Sequence, residues 1–590
     1  MGVWGRLEVR VRKLLAARSS WGARYDNASG CIHYVSDVTG LPQAWRSCRG
    51  RSDLLLVWPR RVGEVLPSHR GSIAFSSDFD GDERWAIYLY GDDKVDLIAG
   101  EDGSMNLLGA WSDREVLAYT SNARNSVDFD LYIYSGESPE MVVKGEGISV
   151  PYHWLGNKVL LVKRNTNLDS DIVIVDPEKG SWEVITAHEG EAANDSPAPL
   201  DSRRILYATN EGREYKALAM MNLESGERKI IFEPRGDVEA VAYGGGGIAY
   251  VSVNEKGSSA LYVISVDAWK ARPLAVFKAK WVISSLDPLP GGRGVLVSAS
   301  SPREGAEVYL VEGVRVERVT WSPKLGLEGE LVEPVDFEYE SFDGLRIHGL
   351  LYKPRGVKLP VPAVYWLHGG PESQARPSFN PLIQAIVSLG VAVVAPNFRG
   401  STGYGKTFVH LDDVEKRMDA VRDVYHAVKS LVDGGVVDPE RLCVMGGSYG
   451  GYLTLMNLAI YPELWRCGVE IVGIVNLVTF IRNTSPYRRR YRIVEYGDPD
   501  KHYDIMMKLS PITYVDRIKA PLMVVHGARD PRVPVSEAEQ LVEALKARRV
   551  EVKYLRLEDE GHGISKIENR VRVYTEAVKF IASHLGVSVP

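Results

Sequence analysis

The sequence predicts two unlike units in tandem: an all-β propeller of seven blades, then an α/β domain built on a mainly parallel, doubly wound sheet. Three observations predict them. A chain of 590 residues exceeds what one hydrophobic core organises, since domains usually contain about 100 to 250 residues. The first half repeats one hairpin pattern seven times. From near residue 330 the second half alternates buried strands with amphipathic helices.

The N-terminal stretch "MGVWGRLEVRVRKLLAARSS" carries several basic residues without a continuous apolar run. It therefore reads as a short amphipathic helix or strand and not as an export signal. The repeat follows, as "YVSDVTGLPQAW" from Tyr34, "FSSDFDGDERWAIYLY" from Phe75 and "YTSNARNSVDFDLYIY" from Tyr119, with counterparts at Val162, Tyr207, Tyr250 and Val297. Each joins a short apolar strand to an alternating one through an Asn, Asp, Gly or Ser turn. The spacing, roughly 41 to 47 residues, is that of a four-stranded propeller blade, which must stack on its neighbours to bury both faces. Two unrelated β-sandwiches would not keep that spacing through seven cycles.

In the second half, "VDFEYESFDGLRIHGLLYKP" is a hairpin turning at Asp343-Gly344. "VPAVYWLHGGP" and "GVAVVAPNFRGSTGYG" are buried strands running into glycine loops. Val414, Met418, Val421, Val424, Val428 and Leu431 form a helical stripe. "RLCVMGG", a helix from Gly450, "PLMVVHG" and the helix "SEAEQLVEALKA" continue the alternation, and Ser536 with Glu539 has capping-box spacing. In such sheets the chemistry sits at the carboxyl ends of the strands.

A net charge of -6 argues against a nucleic-acid binder. The triplet Arg488-Arg489-Arg490 reads as a solvated or substrate-edge patch. The longest apolar stretch, from Val469, is too short for a membrane helix, so the expected setting is soluble and cytoplasmic. The four cysteines make no metal pattern. Cys443 and Cys467 read as buried fillers, and pairing of Cys31 with Cys48 is left open. Glutamine occurs only at 43, 374, 384 and 540, a depletion of thermolabile amides that hints at heat adaptation. No cofactor and no metal are expected.

The chemistry-bearing motif is "GGSYGG", which centres Ser448 between a buried strand and a helix. A serine hydroxyl needs an imidazole to take its proton and an acid to fix that imidazole. In an α/β-hydrolase the order is Ser, then Asp or Glu, then His. Asp530 follows the strand "PLMVVHG" in "ARDPRVP", and only His562 and His584 lie beyond it. His562, in the loop "EDEGHGIS", is the candidate base; His584 ends a helix, where a cap or cation is the plainer role. The amide of Tyr449 and that of Gly370, in "HGGP", are the candidate oxyanion donors. His368, in the same loop, is assigned a structural role.

A seven-bladed propeller ahead of "HGGP", "FRGSTGYG", "GGSYGG", "HGARDPRVP" and "GHGI" resembles the prolyl oligopeptidase (S9) family of serine peptidases over nearly the whole chain. The tyrosine after the serine resembles the acylaminoacyl-peptidase branch. The resemblance implies an N-terminal segment (1–23) packed on the hydrolase domain, a propeller (24–325) covering the site and a catalytic domain (326–590). It also implies release of N-acylated amino acids from short peptides by Ser448, Asp530 and His562. Arg532 would lie near the substrate or form an ion pair. The segment from Ile474 to Tyr491, with Phe480, would line an apolar pocket. A dipeptidyl-peptidase or general oligopeptidase, a carboxylesterase sharing the triad, a non-catalytic scaffold and assembly into a homo-oligomer remain open.

Overall fold

The computed structural model describes residues 3–274, 277, 280–323, 326–327 and 329–588. Residues 1, 325 and 590, at which the expected segments begin or end, lie outside them. Seven four-stranded antiparallel sheets span 20–54, 62–99, 106–143, 149–184, 194–232, 237–274 and 282–318. The first blade thus starts at Ser20, inside the segment expected to precede the propeller. One face of a blade is covered by the next: Ala74 and Ile87 of the second pack with Leu108, Leu117 and Tyr119 of the third.

Each blade is one contiguous run of chain, so no shared strand closes the ring. Closure rests on contacts between the first and last blades. Asp287 accepts from Tyr25 N at 2.8 Å and Arg24 at 3.3 Å, and Tyr34 packs with Leu289, Leu296 and Val308.

Helix α1 (Val3–Ala16) precedes the propeller. The α/β domain comprises β1 (Val335–Glu340), β2 (Arg346–Tyr352), β3 (Val361–Leu367), α2 (Pro381–Val387) and β4 (Ala392–Pro396). It continues with α3 (Arg417–Asp433), β5 (Val437–Gly447), α4 (Tyr449–Ile460) and β6 (Cys467–Ile471). Then come α5 (Leu477–Asn483), α6 (Pro486–Tyr496), β7 (Leu522–Gly527), α7 (Ser536–Ala547), β8 (Val552–Leu557) and α8 (Ile567–His584). The sheet order is β1-β2-β4-β3-β5-β6-β7-β8, parallel from β4 onward.

Both faces of this sheet are covered, which explains the continuous apolar runs of its strands. On one side Val421, Val424, Val428 and Leu431 of α3 join α4 and α7 in a single core. Val414 lies outside α3, in the turn before it. On the other side Leu7, Val11, Leu14 and Leu15 of α1 pack with α2 and α8. The amphipathic N-terminus is therefore a helix whose apolar face completes this core. No helix among the described residues is long and apolar enough to cross a membrane.

Two local expectations are corrected. Ser536 occupies the first helical position of α7, after Val535, and makes no cap bond. Glu537 turns inward instead, accepting from Val475 N at 3.0 Å and Asn476 N at 2.7 Å. Cys443 and Cys467 are not separate fillers: they are directly opposed on β5 and β6 and form a disulfide. Strand register brings them together, which a 24-residue separation does not reveal. Cys31 and Cys48 also pair.

Polar contacts join propeller and α/β domain around the rim. Arg376 grips both oxygens of Glu239 at 2.7 and 3.1 Å, and Lys280 reaches Asp336 at 2.6 Å. His410 bonds Asp413 and, across the boundary, Glu191, both at 2.7 Å. These two hydrogen bonds raise its pKa to about 10. The folded value exceeds the ordinary 6.5, so this stabilisation is complete below that pH and is lost as pH rises toward 10. Urea midpoints measured at pH 6.5 and pH 10 should therefore differ less for His410→Gln than for the wild type; an equal decline in both would contradict the assignment.

Candidate active site

Ser448 stands between β5 and α4 with φ 57 and ψ −119, a region side chains other than glycine's rarely occupy. The flanking glycines make this turn physically possible. A Cβ on Gly450 would lie 2.0 Å from Leu367 O, and one on Gly446 would lie 2.4 Å from Gly450 O. The elbow thus packs backbone on backbone and lifts Ser448 above the carboxyl end of the sheet.

Asp530 and His562 occupy loops after β7 and β8. His562 Nδ1 donates to Asp530 Oδ2 at 2.7 Å. The other oxygen of Asp530 accepts from the amides of Arg532 at 2.8 Å and Val533 at 3.0 Å. Burial alone would raise the Asp530 carboxyl, but His562 and the donated hydrogen bonds outweigh it and hold the pKa below its ordinary value. The carboxylate is fixed and charged, and the ring's Nε2 is left for chemistry. Ser448 and His562 line one cavity of about 430 Å³.

Gly561 meets the propeller: a Cβ there would lie 1.9 Å from Gly81 O, and one on Gly527 would lie 2.1 Å from Gly561 O. Three backbones converge at the histidine loop. His584 lies apart, bonded to Phe580 O at 2.8 Å.

At the other wall, Gly369 and Gly370 line the cavity next to Ser448, and a Cβ on Gly369 would lie 3.3 Å from Ser448 Cβ. Tyr449 is the first residue of α4, so its amide is among the donors that a helix start leaves unpaired. His368 is buried, stacked on Phe398 at 4.2 Å, with bonds to Ser401 and to Gly369 O, both 2.8 Å. Burial lowers its pKa to about 4, so it is a neutral strut.

Beneath this wall lies a buried charge cluster that the sequence reading missed. The Tyr449 hydroxyl donates to Asp412 at 2.8 Å. Arg417, fully buried, reaches Asp412 at 3.4 Å and both the carboxylate and carbonyl of Glu495 at 2.6 Å. Its guanidinium also lies over the rings of Tyr449 and Tyr496, and the Tyr496 hydroxyl donates to Gly370 O at 3.1 Å. Asp412, Asp413 and Glu495 bring oxygens within 4.8 Å of one another, but Arg417 already sits between Asp412 and Glu495 as their cation. Burial raises the Asp412 carboxyl to about 7 against the pull of Arg417. These residues are scattered over three elements, and no spacing announced them.

Ile474, Phe480, Tyr496 and Val533 form the apolar part of the cavity, with Phe480 edge-on to Tyr496 at 5.4 Å. Arg532 is both a lining residue and an ion pair: its Nε meets Glu83 of the propeller at 2.7 and 3.0 Å. Arg164, Asn167 and Leu168 reach the cavity from the propeller, and Asn167 bonds Glu372 at 2.7 Å.

A propeller standing over a serine on a strained elbow defines the class, a capped serine hydrolase. Residues 377–588 match the model of the prolyl oligopeptidase family. Over 89% of its length the chain is 29% identical to dipeptidyl aminopeptidase BIII of Pseudoxanthomonas mexicana, of which it covers 73%. Over 50% it is 29% identical to the human acylamino-acid-releasing enzyme, of which it covers 40%. A puromycin-hydrolysing peptidase of Mycobacterium tuberculosis has the same fold, with a TM-score of 0.86 at 20% identity over 98% of this chain and 96% of that one. The family likeness thus lies in the α/β domain, over residues 377–588.

The buried cluster yields a stability test. Arg417→Met leaves Asp412 and Glu495 facing each other without their cation, which should cost about 3–5 kcal/mol. Urea unfolding measures the loss, and adding Glu495→Gln should recover part of it.

Proposed function

We propose that this chain hydrolyses short peptides by acyl transfer through Ser448, releasing N-acylated amino acids from their amino ends. His562 Nε2 takes the serine proton as Oγ attacks the scissile carbonyl, and Asp530 holds the ring's tautomer and balances the imidazolium. The amides of Tyr449 and Gly370 receive the oxyanion of the tetrahedral intermediate. His562 then protonates the departing amine, and water enters to hydrolyse the acyl-enzyme by the same steps. The observation that carries this reading is the 2.7 Å bond from His562 to Asp530 in a cavity that Ser448 shares.

The preference for a blocked amino end is supported by charge. The lining holds Arg164, Arg488, Arg492 and Arg532 against one carboxylate, Glu372, which is occupied by Arg492 and Asn167. A free ammonium entering there is repelled by Arg164 and Arg488, which have no close carboxylate partner among the described residues of the lining, whereas an uncharged acyl amide is not. A dipeptidyl-type second reading is favoured by the Pseudoxanthomonas relative and by an acidic chamber of about 410 Å³ in the propeller channel. That chamber adjoins the cavity through Arg164, Asn167, Leu168 and Thr402 and carries Asp169, Asp195, Asp237 and Glu239.

Acetyl-Phe-p-nitroanilide should be cleaved faster than Ala-Phe-p-nitroanilide with a free amine. The reverse order would replace the proposal by the second reading. Ser448→Ala should lower kcat on the order of 10⁴-fold or more and abolish labelling by a fluorophosphonate probe.

A further inference from the structure

The helix that carries Arg488-Arg489-Arg490 divides the triplet. Arg489 and Arg490 are exposed, whereas Arg488 faces the cavity with Arg492 and Tyr496, one and two turns further along α6. Two of the cavity's cations have anions of their own. Arg492 donates to Glu372 at 3.1 Å, and Arg532 takes both oxygens of Glu83. For Arg488 the nearest carboxylate contact is 3.9 Å, to that same Glu83, although its side chain is only 19% exposed. Burial, then the neighbouring Arg532, depresses its pKa.

A guanidinium this far out of water is stabilised by an anion that meets its paired N–H groups. The wall offers none beyond those already engaged, among the described residues, while the open side faces the volume next to Ser448. We propose that Arg488 receives a carboxylate of the substrate. This rests on Ser448 being the nucleophile, as argued above. The carboxylate can come from the carboxyl terminus of a short peptide on the leaving side, or from an acidic group on the acyl side. A carboxyl terminus near the scissile bond exists only in short peptides, so the first source would tie specificity to length.

Two substrate pairs separate the sources: acetyl-Phe-Ala against acetyl-Phe-Ala-amide, and succinyl-Phe-p-nitroanilide against acetyl-Phe-p-nitroanilide. In the wild type the charged member of one pair should have a KM about tenfold lower, the scale of one charge-assisted hydrogen bond. Arg488→Met should bring that ratio close to one, and Arg488→Lys should retain part of it. Arg489→Met makes the same change of charge on the exposed face and should keep the wild-type ratio. Equal KM values within both pairs, or a preference that survives Arg488→Met, would overturn the assignment. Should no substrate turn over and Ser448 stay unlabelled by the fluorophosphonate, the hydrolase reading fails separately. Calorimetric binding of acetyl-Phe-Ala and its amide then decides the role of Arg488, equal affinities counting against it.

Discussion

The site depends on a place where backbone must touch backbone. Ser448 keeps its positive φ because β3, β5 and the start of α4 approach so closely at Leu367, Gly446 and Gly450 that no side chain could stand between them. The same contact fixes the loop after β3, which presents Gly369 and Gly370 beside the serine. Strain of this kind survives only where the surroundings over-determine it. Here they are a parallel sheet buried on both faces, with α1 contributing to one of them.

Beneath the elbow the constraint is electrical. Asp412 and Glu495 are fully or nearly fully buried, and Arg417 is the cation between them. The cluster reaches upward through two tyrosines, one continuing the chain from Ser448 and the other bonded to the carbonyl of Gly370. Both proposed oxyanion donors thus belong to residues tied to one ion cluster. A buried charge group is a poor source of net stability, yet it permits few alternative arrangements. Its consequence here is positional: the wall that carries Tyr449 and Gly370 is held from below by one guanidinium.

The fold was legible because its signals are periodic. Seven hairpins at blade spacing and strands alternating with helices survive many local irregularities, and the proposed triad residues follow strand ends in a fixed order. What the sequence hid were pairings made by register and by packing between distant elements. Cys443 meets Cys467 because β5 and β6 are neighbours, and Ser536 fails as a cap because α7 starts one residue earlier than its spacing suggests. Glycines carried a further ambiguity. Gly450 is small because Leu367 of the neighbouring strand lies against it, whereas Gly561 is small because the propeller's Gly81 does. The Arg488 triplet had a readable clue, since Arg492 and Tyr496 continue its helical face, but which side of that helix met the cavity required the structure.

The cavity belongs to neither domain alone. Glu83 of the propeller neutralises Arg532, and Asn167 holds Glu372, which in turn engages Arg492. Tyr491 of α6 accepts from Ile148 N at 2.7 Å and donates to Arg164 O at 3.2 Å, so the helix bearing these arginines is itself docked on the propeller. Separating the domains would remove Glu83 and Asn167 together, leaving Arg532 without its anion and Glu372 with Arg492 alone. Shape and charge around Ser448 are therefore set jointly by the docking. A cavity of about 430 Å³, lined from both domains, is in the range that encloses small ligands.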